Sequence, residues 1–136
     1  MDNLTPAERS AVMRRVRDKD TKPEMAVRRM VHRLGYRYSL HRRDLPGNPD
    51  LVFPARGRVI FVHGCFWHGH ACRAGQNRPS SNQSYWIAKL DRNQVRDAAN
   101  RRRLRNLGWQ VLVIWECQIK QPDRLRARVI RFFASE

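Results

Sequence analysis

Val111-Leu112-Val113-Ile114-Trp115 is an unbroken apolar run in a chain of 136 residues. Five such residues are too few for a helix to use and read as a strand buried on both faces. A strand of that kind needs neighbours in a sheet and helices covering it, and the sequence offers both. Asp50-Leu51-Val52-Phe53 and Arg58-Val59-Ile60-Phe61-Val62 flank a tight turn at Pro54–Gly57 and predict a hairpin, with a shorter strand over Tyr36–Leu40 before it. Thr21-Lys22-Pro23-Glu24 starts a helix in which Val27, Met30, Val31 and Leu34 repeat at helical spacing, and Gly35 closes it. A long helix spans Tyr85 to Asn106, and Pro122 starts a last one with Leu125, Val129, Ile130 and Phe133 inward. Thr5-Pro6-Ala7-Glu8 opens an earlier, arginine-rich segment to about Arg17. The order α, α, β, β, β, α, β, α predicts a single-domain α/β fold, a mixed β-sheet flanked by helices, with residues 1–20 as a basic N-terminal arm and 21–136 as the domain.

The formal net charge is +16, and lysine occurs only at positions 19, 22, 89 and 120, so arginine supplies nearly all of the positive charge. Arginine's planar fork matches phosphate oxygens and base edges, which makes nucleic acid the leading partner class. A merely solvated basic surface is the alternative. No apolar run approaches the ~20 residues of a membrane helix. Met1–Ser10 is polar and carries acids, unlike a signal peptide. The expectation is a reducing cytoplasm and no membrane partner.

The three cysteines, at 65, 72 and 117, are too few for a disulfide scaffold. Cys65, His70, Cys72 and Cys117 match a closed, tetrahedral Cys₃His zinc site that pins the Gly64–Asn82 loop to the sheet, one structural Zn²⁺ per chain. The alternative is that Cys117 is an ordinary buried cysteine and the others are surface thiols. With His70 given to zinc, His63 and His68 remain near Asp50 across the hairpin. A carboxylate beside imidazoles can hold a hydrated divalent cation next to a general base, the equipment for phosphodiester hydrolysis. Equally, Asp50 caps a turn after Pro49 and the histidines hydrogen-bond locally.

Leu45-Pro46-Gly47-Asn48-Pro49-Asp50, Val59-Ile60-Phe61-Val62-His63-Gly64-Cys65-Phe66-Trp67-His68, Gly108-Trp109 and Trp115-Glu116-Cys117 together resemble the very short patch repair (Vsr) DNA mismatch endonucleases. The resemblance runs from about Met13 into the last helix, and the His63–His68 stretch is its most specific part. It implies a zinc-stapled, restriction-endonuclease-like fold that nicks one strand at a T:G mismatch left by deaminated 5-methylcytosine. On the matching positions, Asp50 and the backbone carbonyl of Val62 would bind catalytic Mg²⁺, and His68 would be the general base. Glu24 would reach the hydrated metal cluster, and His63 and Asp97 would support the scissile phosphate. The wider nuclease superfamily carries an acid, a spacer and a lysine on the second strand. Val62 and Gly64 stand there instead, which places more weight on His68. Glu24 also occupies the third helical position, where a helix cap wants an acid.

Phe66, Trp67 and Trp86 are rings on a very basic chain. By the resemblance they wedge into DNA and select a mismatch by its lower cost of distortion, with Met13 entering from the other side. The plain alternative is packing, which is the expected fate of Trp109 and Trp115. Arg14, Arg15 and Arg17 on the arm, and Arg101, Arg102, Arg103 and Arg105 late on the long helix, are expected phosphate contacts. The resulting expectation is a monomeric bacterial, nucleoid-associated enzyme acting on double-stranded DNA, with other mismatch-repair proteins as partners by resemblance only. A non-catalytic zinc-stabilised nucleic-acid-binding module is the rival, and a nuclease cutting both strands of paired DNA is a third reading.

Overall fold

The computed structural model describes residues 21–40, 42–65 and 83–135. The arm at 1–20 and most of the loop after Gly64 lie outside the described residues. Within them the elements are α1 (Lys22–Arg33), β1 (Ser39–Leu40), β2 (Leu51–Phe53), a 3-10 turn (Pro54–Arg56), β3 (Arg58–His63), α2 (Gln83–Asn106), β4 (Gln110–Trp115), a second 3-10 segment (Glu116–Lys120) and α3 (Pro122–Ala134). The four strands lie in the order β1-β2-β3-β4. β1, β2 and β3 pair antiparallel, and β4 lies parallel to β3. A parallel step needs a crossover of a dozen or more residues, and α2 supplies it. The mixed sheet flanked by helices is as the sequence predicts.

Side-chain alternation along the strands divides the interior in two. On one face Leu51, Phe53, Ile60, Leu112 and Ile114 pack with Val27 and Val31 of α1 and Leu125, Val129 and Phe133 of α3. On the other, Val52, Val59 and Phe61 meet Leu104 of α2, with Trp109, Val111 and Val113 packed beside them. The expectation that Val111–Trp115 is buried on both faces therefore holds for one face only. Leu112 and Ile114 are buried, while Val111, Val113 and Trp115 are half-buried. The covering helix on that side is arginine-rich and supplies few apolar side chains.

Two other expectations need correction. Ile130 does not face inward and is 44% exposed. Leu125, Val129 and Phe133 form the inward stripe, widened by half-buried Phe132 on one side, and Ile130 sits about 100° around the helix from Val129, on the other. Over Tyr36–Leu40 only Ser39 and Leu40 pair with β2. The preceding residues still follow the close of α1, where the Tyr36 amide donates to the Val31 carbonyl at 3.2 Å. The Tyr36 ring stacks on Phe133 at 3.9 Å, and Tyr38 packs edge-on against Phe53.

The start of β3 and the end of α3 are tied by Arg58, a buried guanidinium. Its Nε donates to the Phe132 carbonyl at 3.1 Å and Nη1 to the Arg56 carbonyl at 2.8 Å, while Nη2 reaches the Ser135 carbonyl. The last carbonyls of a helix have no partner within it, so one side chain here both ends α3 and holds it to the sheet. Arg58→Met should lower unfolding free energy by about 2 kcal/mol, the scale of losing charged hydrogen bonds to buried acceptors, measured by urea denaturation.

Candidate active site

The approach to β2 is a tight turn over Leu45-Pro46-Gly47-Asn48, closed by the Asn48 amide on the Leu45 carbonyl at 3.1 Å. Proline at the second position and a glycine with φ +77° at the third are what a type II turn requires. Gly47 is doubly constrained, because a Cβ there would lie 3.0 Å from Cβ of Asn100 on α2. The turn is thus seated on the long helix, and buried Pro49 follows it. Asp50 comes next, at the mouth of β2. Its Oδ2 accepts the Val62 amide at 2.6 Å. In an extended strand a residue's N–H and C=O project to the same side, so the Val62 carbonyl lies on the side of β3 that Asp50 occupies.

Glu24 arrives from α1. Thr21 caps that helix, its hydroxyl accepting the Glu24 amide at 3.4 Å. The backbone of Glu24 therefore serves the cap, while its buried carboxylate pairs with Arg28 one turn on and lies against the Asp50 carboxyl. Burial, and then the neighbouring Glu24, push the Asp50 carboxyl up to about 7, against the pull of the Val62 amide and the Arg28 guanidinium. Two carboxyl groups and a guanidinium thus share one site at the mouth of the hairpin. Arg28 escapes a search for metal ligands and bases. Its signal is the four-residue spacing from Glu24 on the stripe that also carries Val27 and Val31.

The register of β3 against β4 organises the rest. Arg58 lies opposite Gln110, and each following pair keeps that offset to His63 opposite Trp115. His63 is buried, with its ring edge-on to Trp115 at 5.2 Å and tilted against Phe61 at 5.5 Å. Continuing the same offset two residues past the strands places Cys65 beside Cys117. The Cys117 amide does donate to Cys65 Sγ at 3.4 Å. Strands in one sheet lie about 4.8 Å apart, so thiols at one register are within reach of one tetrahedral ion, and an amide hydrogen bond favours a thiolate. The second 3-10 segment, which the sequence reading did not anticipate, carries Cys117. Gln118 Oε1 holds it, accepting the Trp115 amide at 3.0 Å and Arg128 Nη1 at 2.9 Å.

The structure brings Asp50, Val62 and Glu24 together, and separately Cys65 with Cys117. Asp97 is half-buried on α2. Trp86 is 8% exposed and packs edge-on against Tyr85, itself 46% exposed. In this conformation the outer ring at the start of α2 is therefore the tyrosine. Arg102, Arg103 and Arg105 are exposed and Arg101 half-buried, as phosphate contacts require. Met13, Arg14, Arg15, Arg17, Phe66, Trp67, His68, His70 and Cys72 lie outside the described residues. Among the described residues no three His, Cys, Asp or Glu side chains gather into a metal cage, and no helix is long and apolar enough to cross a membrane.

Asp50 and Glu24 thus meet at the hairpin mouth, in a protein whose long helix carries exposed arginines. The family model described as DNA mismatch endonuclease Vsr matches residues 1–74. The type II nicking enzyme V.XorIIP of Xanthomonas oryzae pv. oryzae is 50% identical over 128 residues, 94% of this chain and 93% of the relative. The type II nicking enzyme V.NmeAIP of Neisseria meningitidis is 39% identical over 96% of this chain and 92% of its own. The DNA mismatch endonuclease Vsr of Escherichia coli is 36% identical over 88% of this chain and 76% of its own. The chain belongs to the Vsr family of DNA endonucleases.

The raised Asp50 value makes a sign-definite prediction. The folded protein holds this proton more tightly than the unfolded chain, whose aspartates titrate near ~4. The stabilisation is full below that pH and is lost as pH rises through about 7. Asp50→Asn keeps an acceptor for the Val62 amide but cannot ionise. In magnesium-free buffer at pH 8 it should be more stable than the parent. Its stability should also lose much of the decline between pH 4 and 8, read from thermal unfolding across that range.

Proposed function

We propose that the chain is a Mg²⁺-dependent endonuclease that nicks one strand of double-stranded DNA at T:G mismatches, with one structural Zn²⁺. The observation that carries this reading is the Asp50 carboxyl held on the Val62 amide with Glu24 against it. Two adjacent acids repel when both ionise, a cost for which a module that only binds DNA has no use. The names of the Vsr and nicking relatives support the same reading.

In this reading Asp50 and the Val62 carbonyl would hold the divalent cation, with Glu24 beside Asp50 to add negative charge. The cation, when bound, supplies positive charge at the scissile phosphate. His68 takes the proton of the attacking water as its oxygen bonds to phosphorus and one ester P–O bond breaks. His63, fixed between Phe61 and Trp115, and Asp97 support the phosphate. Cys65 and Cys117, with His70 and Cys72, would hold zinc, which would tie the segment bearing Phe66, Trp67 and His68 to the sheet. Those rings, with Met13 and Trp86, test the base step, and Arg14, Arg15 and the α2 arginines grip phosphates. Trp86 enters DNA only if it leaves its packed position.

End-labelled duplexes differing in a single pair, T:G, T:A or C:G, test the substrate. The T:G duplex should be nicked in one strand with Mg²⁺ and the paired duplexes left intact. Equal cutting of all three, or a cut in both strands, contradicts the proposal. Asp50→Ala should lower nicking by about 10³-fold or more while keeping affinity for the T:G duplex within a few fold. Metal analysis should find one zinc per chain, lost in Cys65→Ala and in Cys117→Ala.

A further inference from the structure

Arg28 has no role in the proposed reaction, yet its charge is buried in the described interior. Its side chain is 10% exposed, against 5% for Glu24, and the two are paired on the buried stripe of α1. An exposed pair one turn apart stabilises a helix by only a few tenths of a kcal/mol. A buried pair carries a desolvation penalty that an apolar side chain of similar size avoids. Val27 and Val31 flank the position, so a methionine or leucine there would extend the core. Helix stability therefore does not account for a guanidinium at 28.

The neighbouring carboxyls do. Glu24 lies against Asp50, and the Arg28 charge is felt at Asp50 as well as at Glu24. Two adjacent acids can be ionised together only if positive charge stands beside them. A divalent cation is one source of such charge, and Arg28 is a source carried by the chain itself. The guanidinium also fixes where Glu24 points, because an arginine fork holds a carboxylate in a defined direction.

We propose that Arg28 is a positioning residue and internal counter-ion of the carboxylate site, which holds Glu24 against Asp50 in the cation-free protein and competes with the divalent cation for their charge. This rests on the reading of Asp50 as a cation ligand. Arg28 makes the site a weak cation binder on its own, so occupancy depends on negative charge added by a DNA phosphate. The cation then assembles with the substrate rather than ahead of it.

The test is Mn²⁺ affinity of the full-length, zinc-loaded protein without DNA, with free Mn²⁺ read by electron paramagnetic resonance. Arg28→Gln should bind Mn²⁺ about tenfold more tightly or better, because one opposing charge has gone from a partly dry site. Arg28→Lys, which keeps the charge, should stay within about twofold of the parent. A purely structural Arg28 gives the opposite sign, since a loosened site binds more weakly. Unchanged or weaker binding by Arg28→Gln overturns the proposal, as does equal tightening by Arg28→Lys. If Arg28→Gln fails to fold, Mn²⁺ should restore its circular dichroism, and failure to do so overturns the proposal too. Asp50→Asn separates the two levels. If it abolishes Mn²⁺ binding while Arg28→Gln changes nothing, only the counter-ion role falls. If Mn²⁺ binding does not depend on Asp50, the cation site falls with it.

Discussion

The parallel pairing of β3 with β4 at one fixed offset is the constraint on which the rest of this structure depends. It sets His63 beside Trp115, and it brings the chain just past both strands together, so that the Cys117 amide meets Cys65 Sγ. Its other edge is equally committed. β3 pairs with β2 on that side, and where the ladder ends the Val62 amide turns to the Asp50 carboxylate instead of a strand carbonyl. A slip of one residue would exchange the two faces of β4 and part the cysteines. Both chemical features are therefore consequences of a single register, held by the apolar layers on either side of the sheet.

Much of this was legible because its signals are local. Thr21-Lys22-Pro23-Glu24 is a helix start by cap chemistry. Asp50 stands out as an acid at a strand mouth, and the pairing of Cys65 with Cys117 follows from using all the thiols. What escaped depends on long-range packing. Nothing near Ile130 says that the inward stripe of α3 widens toward Phe132 and not toward Ile130, and nothing in Tyr36–Leu40 says that the two tyrosine rings are taken by Phe133 and Phe53. The Glu116–Lys120 segment has no apolar period to betray it. It is shaped instead by Gln118, which satisfies the Trp115 amide and Arg128. Arg28 was hidden for another reason, since an arginine in so basic a chain reads as surface until its burial is seen.

Membership in the Vsr family of DNA endonucleases frames the electrostatics as a division of labour. The exterior is positive, and the exposed arginines of α2 suit a polyanion. Asp50 and Glu24 instead meet at the hairpin mouth, where burial raises the Asp50 carboxyl to about 7. Glu24 illustrates the economy of the design, because its amide takes the helix cap and its carboxylate faces the site.

The central claim is that a divalent cation sits between the Asp50 carboxylate and the Val62 carbonyl. Anomalous diffraction from crystals of the protein with T:G duplex and Mn²⁺ tests this most directly. The account predicts a strong peak within about 2.5 Å of both oxygens. A peak elsewhere, with Asp50 still hydrogen-bonded only to the Val62 amide, would contradict it.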